Sequence, residues 1–250
     1  MKLEGRIALV TGSSRGIGRA IAWALAQEGA DVVIHYRSSA QQAESLAEEI
    51  RALGRRCWTF KGDVRRYDDL KAMFDGIKEQ VGRLDILVNN AAMGSARPVM
   101  QMRPNQWDLT LETCVRSVLV ASQLAVPLMN SGWGRIINLS SLGSHRYLPG
   151  YVAIGASKAA VESLTRSMAV EFAAQGIVVN CVSGGMIETE TLDYLGDSIQ
   201  EQKERYLKLC PQHRLGKPED LANVVTFLCS DAGGWIVGQT LIADGGYSLW

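Results

Sequence analysis

The sequence predicts an α/β protein with a single domain over residues 1–250, in which helices cover both faces of a doubly wound, parallel, seven-stranded sheet. Short apolar runs alternate with helical stretches along the whole chain. Several runs are apolar at successive positions, which is typical of parallel strands buried on both faces. The chain also lacks a Pro/Ser-rich linker and an internal repeat. The predicted strands are Ile7–Val10, Val32–Tyr36, Cys57–Phe60, Ile86–Asn89, Ile136–Leu139, Ile177–Val182 and Thr240–Ala243.

The helical stretches between these strands carry residues typical of helix N-termini. Ser38 and Ser39 are predicted to cap the second helix. Pro218 fits a first helical position and is followed by acidic residues, which the positive end of a helix favours. The predicted helices are Ser39–Leu53, Leu70–Val81, Asn105–Met129, Ala156–Ala174 and Pro218–Cys229.

The segment from Ile187 to Lys217 interrupts this rhythm. It is polar, helical in parts, and comes directly after the sixth strand. Ligands bind at the carboxyl ends of the strands in such folds, and long insertions there are usually functional. We therefore predict a helical substrate lid at residues 187–217. The alternative is a surface helical hairpin.

Composition argues against several classes of protein. Lysine plus arginine and aspartate plus glutamate both number 26, so the net charge is zero, whereas a general nucleic-acid binder is normally basic. No apolar run reaches the ~20 residues that span a bilayer, and the N-terminus is typical of a strand, not of a secretory signal. The five cysteines are an odd number without a Cys-x-x-Cys pair. They argue against disulfides and a metal site and favour a cytoplasmic location.

A glycine-rich loop follows the first strand and opens a helix. Glycines permit a tight turn and a close approach to a ligand, and the helix N-terminus that follows attracts phosphate. In this strand–loop–helix context the loop predicts a Rossmann-type dinucleotide site. Its predicted cofactor-binding residues are Gly12, Ser13, Ser14, Arg15, Gly16, Ile17 and Gly18.

The end of the second strand indicates which dinucleotide binds. NAD sites usually place a carboxylate there for the ribose diol, but this chain has Arg37 and Ser38, and Asp31 lies too early. The guanidinium groups of Arg37 and Arg15 can clamp a 2′-phosphate. We therefore predict NADPH as the cofactor. The alternative is that Arg37 is a solvated surface residue.

Further motifs extend this pattern along the chain: Asp63-Val64, 89–92 (NNAA), Asn180, 238–240 (GQT) and 244–246 (DGG). With the glycine loop, they resemble the short-chain dehydrogenase/reductase superfamily, in the family's order. The resemblance implies that Asp63 and Val64 hold the adenine. It implies that Asn90, Ala91 and Gly184 line the cofactor. It also implies that Ile187 and Thr189 fix the nicotinamide amide.

The family's usual catalytic residues are present only in part. Most members carry Tyr-x3-Lys after the fifth strand, with a serine thirteen residues before the tyrosine. Lys158 and Ser141 fit this pattern, but Ile154 holds the tyrosine position. Tyr151 lies seven residues before Lys158, and positions i and i+7 share a helix face. The shift from i−4 to i−7 keeps the direction of the phenol and moves it ~4.5 Å along the axis.

Two other departures accompany this one. Cys114 stands where the family usually has an active-site asparagine, and we interpret it as a small buried apolar residue rather than a reactive thiol. Ser183-Gly184-Gly185 replaces the usual Pro-Gly. Together with residues 140–148 and the Tyr-x6-Lys spacing, these features resemble the NADPH-dependent enoyl-acyl-carrier-protein reductase III group of bacterial type II fatty-acid synthesis.

The resemblance and the displaced phenol together predict reduction of the trans-2 double bond of an enoyl thioester. Tyr151 is expected to stabilise the thioester oxygen as it becomes an enolate, and Lys158 to bind the nicotinamide ribose. Ser141 is a catalytic candidate that either orients substrate or phenol or only bonds the backbone. One alternative is a carbonyl reductase like 3-oxoacyl-acyl-carrier-protein reductases. Another is an inactive NADPH-binding regulator.

The same resemblance implies the partners of the protein. It implies a substrate carried on acyl carrier protein and a homotetramer that pairs 105–129 and 156–174 across one interface, with the tail at 247–250 joining another. Charge and composition, by contrast, are the grounds for predicting no nucleic acid and no membrane. Tyr147 is interpreted as pocket wall or core. The candidate cations for docking an acidic carrier are Arg97, Arg103, Arg146, Arg205 and Arg214.

Overall fold

The computed structural model describes residues 1–129, 132–193 and 198–249. Within them the strands are β1 (Ile7–Val10), β2 (Asp31–Tyr36), β3 (Cys57–Lys61), β4 (Ile86–Asn89), β5 (Gly134–Ser141), β6 (Ile177–Gly184) and β7 (Thr240–Ala243). They form one seven-stranded sheet in the order β3-β2-β1-β4-β5-β6-β7, and every pairing is parallel. The predicted α/β class and the seven strands are confirmed.

The helices of the same residues are α1 (Gly16–Gln27), α2 (Ala40–Ala52), α3 (Tyr67–Gln80), α4 (Pro104–Leu111), α5 (Ser117–Ala125), α6 (Val152–Phe172), α7 (Glu190–Asp193), α8 (Ser198–Leu209) and α9 (Pro218–Cys229). Pro218 is the first residue of α9, as predicted. Ser39 precedes α2, but its side chain makes no capping hydrogen bond, so the predicted cap is wrong. Helix α6 begins four residues earlier than the predicted Ala156.

The core consists of two apolar layers, one on each face of the sheet. Successive residues of β1 belong to different layers, because successive side chains of a strand point to opposite faces of the sheet. Ala8 and Val10 pack with α1, α2 and α9. Ile7 and Leu9 pack with α3, α5 and α6. The sheet is therefore covered on both sides, which explains why its strands are apolar at successive positions.

The region predicted as one helix, 105–129, is interrupted. A π-helical segment, Glu112–Arg116, separates α4 from α5. By length and composition alone, Pro104–Leu128 could cross a membrane, but 44% of its 18-residue apolar stretch is buried inside the protein. Val118, Ala121 and Ala125 of α5 belong to the core layer beside α3 and α6. The burial is that of a core helix.

The segment predicted as a lid returns to the sheet at both ends. Ile187 and Gly216 pair as a parallel bridge at its base. In α8 the Tyr206 hydroxyl donates to the Asp244 carbonyl at 2.7 Å, and its ring stacks on Tyr247 with centroids 4.3 Å apart. The described part of 187–217 is thus anchored to the C-terminal turn. Two of its apolar residues, Tyr194 and Leu195, lie outside the described residues.

Candidate active site

The glycine loop joins the carboxyl end of β1 to α1. Gly12 and Gly16 have φ values of 65° and 56°, a region that side chains rarely permit. A Cβ on Gly12 would lie 3.1 Å from the Cα of Ala91, just after β4. The exposed Arg15 precedes α1, whose first turn has no acidic residue, so its positive end is suited to a phosphate. Of the other predicted loop residues, Ser13, Ser14 and Gly18 are buried and Ile17 is half-buried.

Two polar side chains fasten this loop to the end of β4. The Thr11 hydroxyl accepts hydrogen bonds from the main-chain N–H groups of Asn90 and Ala91, both at 3.0 Å. The Asn90 amide donates to the carbonyls of Thr11 and Gly12 at 2.9 and 3.2 Å. Asn90 therefore shapes the loop that would bind phosphate. That Asn90 also lines the cofactor stays a prediction.

The adenosine side of the site contains an ion pair that sequence reasoning missed. Arg37 and Ser38 are exposed at the end of β2, as a 2′-phosphate site requires. Asp63, after β3, accepts a hydrogen bond from Nε of Arg65 at 2.9 Å, and Val64 beside it is buried. Hydrogen bonds from Arg65 and the charge of Arg37 hold the pKa of Asp63 at about 2, so this carboxyl is ionised at neutral pH.

The three predicted catalytic residues lie at the carboxyl end of β5 and the start of α6. The Tyr151 hydroxyl donates to Oγ of Ser141 at 3.3 Å. Nζ of Lys158 is buried and donates to the Leu139 carbonyl at 2.7 Å. Burial raises the pKa of the Tyr151 phenol, and the bond to Ser141 only partly opposes this shift. The phenol is therefore neutral at physiological pH and able to donate a hydrogen bond.

The direction of the phenol does not come from a helix face. Tyr151 is the residue before α6, with φ −99° and ψ 14°, so the predicted i, i+7 relation with Lys158 does not apply. Glycines place the ring instead. A Cβ on Gly143 would overlap the Tyr151 ring, and a Cβ on Gly155 would lie 2.5 Å from the Gly143 carbonyl oxygen. The turn after β5 can approach α6 this closely only because both positions lack a side chain.

We expect Gly143→Ala to displace the Tyr151 ring. A displacement of the reacting group by about 1 Å can cost ~10² in rate, so kcat should fall by ~10–10² while the Kd for NADP⁺ stays unchanged. Steady-state kinetics and calorimetric titration measure the two quantities. Ser144→Ala in the same turn is the control, because its hydroxyl contacts the neighbouring His145 ring at 3.0 Å. An unchanged kcat in Gly143→Ala would show that the ring position is not critical.

Two of the three departures from the family pattern, Ile154 and Cys114, are half-buried and buried, respectively. Ile154, at the usual tyrosine position, packs against Gly94. Cys114 is 1% exposed, and its Sγ lies 3.4 Å from the Met93 carbonyl oxygen. It belongs to the π-helical segment, a deviation often found at functional sites. The position of Cys114 fits the interpretation of a small buried residue.

The residues predicted for the nicotinamide side follow β6. Gly184 is buried, and a Cβ there would lie 2.8 Å from Cδ1 of Leu221. Ile187 is 7% exposed. Thr189 lies beside the glycine loop, since its Cγ2 would be 3.8 Å from a Cβ built on Gly16. The ends of β1, β4, β5 and β6 thus contribute to one continuous site.

The remaining candidates are the phenol of Tyr147 and the arginines predicted to dock a carrier, of which Arg97 forms a main-chain bridge with Tyr151. Tyr147 is 87% exposed, so its interpretation as core is wrong. Among the arginines predicted to dock a carrier, Arg214 pairs with Asp220 at 2.6 Å, and Arg146 donates to the Tyr247 carbonyl at 3.2 Å. Arg97, Arg103 and Arg205 are exposed.

The residues present fit a phosphorylated dinucleotide. Gly12 and Gly16 have left-handed φ values at which a Cβ would be strained, so the loop presents bare backbone at these positions. The N-terminus of α1 supplies anion-binding N–H groups. Exposed guanidinium groups of Arg15 and Arg37 are suited to an additional phosphate. Lys158, at the other end of the site, uses one of its three donors on Leu139.

Comparison with known proteins agrees with this architecture. A family model described as enoyl-(acyl carrier protein) reductase matches residues 12–248. The 1-cyclohexenylcarbonyl-CoA reductase of Streptomyces collinus is 38% identical over 98% of this chain and 87% of its own length. A 3-oxoacyl-[acyl-carrier-protein] reductase of Staphylococcus aureus is 42% identical over 96% of each chain. A short-chain dehydrogenase structure from Burkholderia cenocepacia, in complex with NADP, is 37% identical with a TM-score of 0.92, covering 99% of this chain and 100% of that one. Sequence, fold and site geometry therefore agree that this chain belongs to the short-chain dehydrogenase/reductase superfamily.

Proposed function

We propose that the protein is an NADPH-dependent reductase of trans-2-enoyl thioesters. The observation that carries this proposal is the pair at the start of α6: Ile154 occupies the usual tyrosine position, while the Tyr151 phenol is held by Ser141. In carbonyl reduction the hydride reaches the carbon that bears the oxygen. In conjugate reduction the hydride reaches the β-carbon, two atoms farther from that oxygen, and a displaced donor fits the more distant oxygen.

The cofactor is NADP(H), which the glycine loop, Arg15, Arg37 and Lys158 would hold and which would supply the hydride for the β-carbon. The neutral Tyr151 phenol donates a hydrogen bond to the thioester oxygen as negative charge develops there. The remaining N–H groups of Lys158 bind ribose hydroxyls, and its charge favours the enolate. Without substrate, the Tyr151 hydroxyl donates to Ser141. When the phenol donates its one hydrogen to the thioester oxygen instead, the Ser141 hydroxyl can donate to the phenol oxygen and orient it. Protonation of the α-carbon completes the saturated thioester.

The relatives support two candidate reactions. The name of the Streptomyces collinus relative describes reduction of a thioester with a conjugated double bond. The 3-oxoacyl reductases, at up to 42% identity, favour carbonyl reduction, and they recur more often among the similar proteins. Carbonyl reduction is therefore the second candidate, with Tyr151 acting from its displaced position. Both candidates imply an acyl thioester substrate on acyl carrier protein in the cytoplasm.

Parallel assays with NADPH distinguish the candidates. We expect kcat/KM for a crotonyl thioester to exceed that for an acetoacetyl thioester by at least ~10², since a missing oriented donor costs this much in turnover. The same assay with NADH controls for cofactor choice. Preference for the acetoacetyl thioester would establish the carbonyl reductase. Tight NADP⁺ binding without turnover of either thioester would favour the inactive regulator.

Two further proposals concern the surroundings of the site. We propose that residues 187–217 close over the acyl chain, because their base, Ile187 and Gly216, adjoins the nicotinamide side of the site. We also propose a homotetramer, supported by exposed apolar residues on the outer helices and strand β7. These include Val170, Phe227 and Ile242.

A further inference from the structure

We infer that His35 is a positioning residue for the cofactor, which ties the glycine loop to the loop that carries Asp63. The inference rests on the proposed binding of NADP(H) and is independent of the acyl substrate. A lone histidine gives no motif in the sequence, since isolated buried histidines are common in cores. Its place between two loops of the site distinguishes it.

The His35 ring is hydrogen-bonded at both nitrogens. His35 is 2% exposed, at the next-to-last position of β2. Its Nδ1 accepts the main-chain N–H of Gly12 at 3.0 Å. Because Nδ1 acts as an acceptor, Nε2 carries the hydrogen and donates to the Gly62 carbonyl at 3.1 Å. The two bonds fix the tautomer and the orientation of the ring.

The main chain of His35 adds further bonds to the same loop. Its N–H donates to Oγ of Ser13 at 3.2 Å, and its carbonyl accepts the N–H of Ser13 at 3.0 Å. Gly62, at the opposite side of the ring, directly precedes Asp63. One buried residue thus sets the spacing between the phosphate side and the adenine side of the site.

The charge state of the ring suits this role. Burial is the largest influence on His35 and lowers its pKa to about 4, although the bond to Gly62 and the charge of Asp63 oppose this shift. Asp69 of α3 also lies on this side, where its carboxylate accepts the N–H of Asp63 at 2.9 Å. At neutral pH the ring is uncharged and keeps a lone pair for Gly12. A protonated ring has only donors and would lose that bond.

Three substitutions separate the two ring bonds. His35→Leu removes both. His35→Gln places an amide near Nε2 and keeps the Gly62 bond, whereas His35→Asn places an amide oxygen near Nδ1 and keeps the Gly12 bond. We expect the Kd for NADP⁺, measured by calorimetry, to rise about tenfold or more in His35→Leu and several-fold in His35→Gln. It should stay within about twofold in His35→Asn. The kcat at saturating NADPH should change little in all three.

Val33→Ala is the matched control, because Val33 is buried in the same strand, two residues earlier, and packs in the core. It should lower the melting temperature without changing the Kd. A His35→Leu variant that binds NADP⁺ like the wild type would overturn the inference, as would a Val33→Ala variant weakened equally. If His35→Leu fails to fold, His35→Gln decides: an affinity equal to that of His35→Asn overturns the inference. A wild type that prefers ketone substrates would refute the proposed function and leave this inference standing, since NADP⁺ binding is measured without acyl substrate.

Discussion

Tyr151→Phe is expected to lower kcat for a trans-2-enoyl thioester by ~10²–10³, the usual cost of removing one donor from a developing oxyanion. The ring would still fill its place beside Gly143, so the fold and the Kd for NADP⁺ should not change. Stopped-flow or steady-state oxidation of NADPH measures the loss. The effect follows from the neutral, hydrogen-bonded state of the phenol next to Ser141.

Tyr147→Phe is the control for this substitution. Tyr147 is the rival phenol of the same loop, but its side chain is 87% exposed. Its loss should leave kcat within about twofold of the wild type, because a solvated hydroxyl contributes little. Full activity in Tyr151→Phe, or a large loss of kcat in Tyr147→Phe, would show that Tyr151 is not the catalytic phenol.

Lys158→Met is expected to lower kcat/KM by ~10²–10⁴, because it removes both a buried positive charge and the donors proposed for the ribose. The Kd for NADP⁺ should rise as well, which separates this variant from Tyr151→Phe. Lys158→Arg should not restore activity, since a planar guanidinium cannot reproduce the bond of Nζ to the Leu139 carbonyl.

Lys78→Met provides the comparison for the loss of a cation, because Lys78 is exposed near the end of α3. It should behave as the wild type in both measurements. The melting temperature of each variant shows whether the fold is retained. A folded Lys158→Met enzyme with kcat within tenfold of the wild type would contradict the assigned role.

Strand positions were predictable because buried parallel strands must be apolar on both faces. The bounds of β1, β4 and β7 agree with the sequence prediction to the residue. Strands β5 and β6 each continue two residues beyond their predicted carboxyl ends. The added residues remain in the sheet although they are polar or small: Ser140, Ser141, Ser183 and Gly184. These are the positions where the strands enter the candidate site.

The geometry of the site was less predictable than its residues. The sequence indicated Tyr151 and Lys158, but it placed them on one helix face, whereas Tyr151 precedes α6 and depends on Gly143. The ion pair between Arg65 and Asp63 had no counterpart in the sequence prediction. Such contacts form between segments distant in sequence or within a turn, where neither periodicity nor spacing carries a signal.

A crystal structure of the protein with NADP⁺ and a non-reactive enoyl thioester analogue tests the central claim most directly. We expect the hydroxyl oxygen of Tyr151 to lie about 2.7–3.1 Å from the thioester oxygen, the distance at which a donor stabilises an oxyanion. The β-carbon of the analogue should face the nicotinamide. A thioester oxygen bound by other groups, with the Tyr151 phenol directed away from it, would show that Tyr151 is not the oxyanion donor.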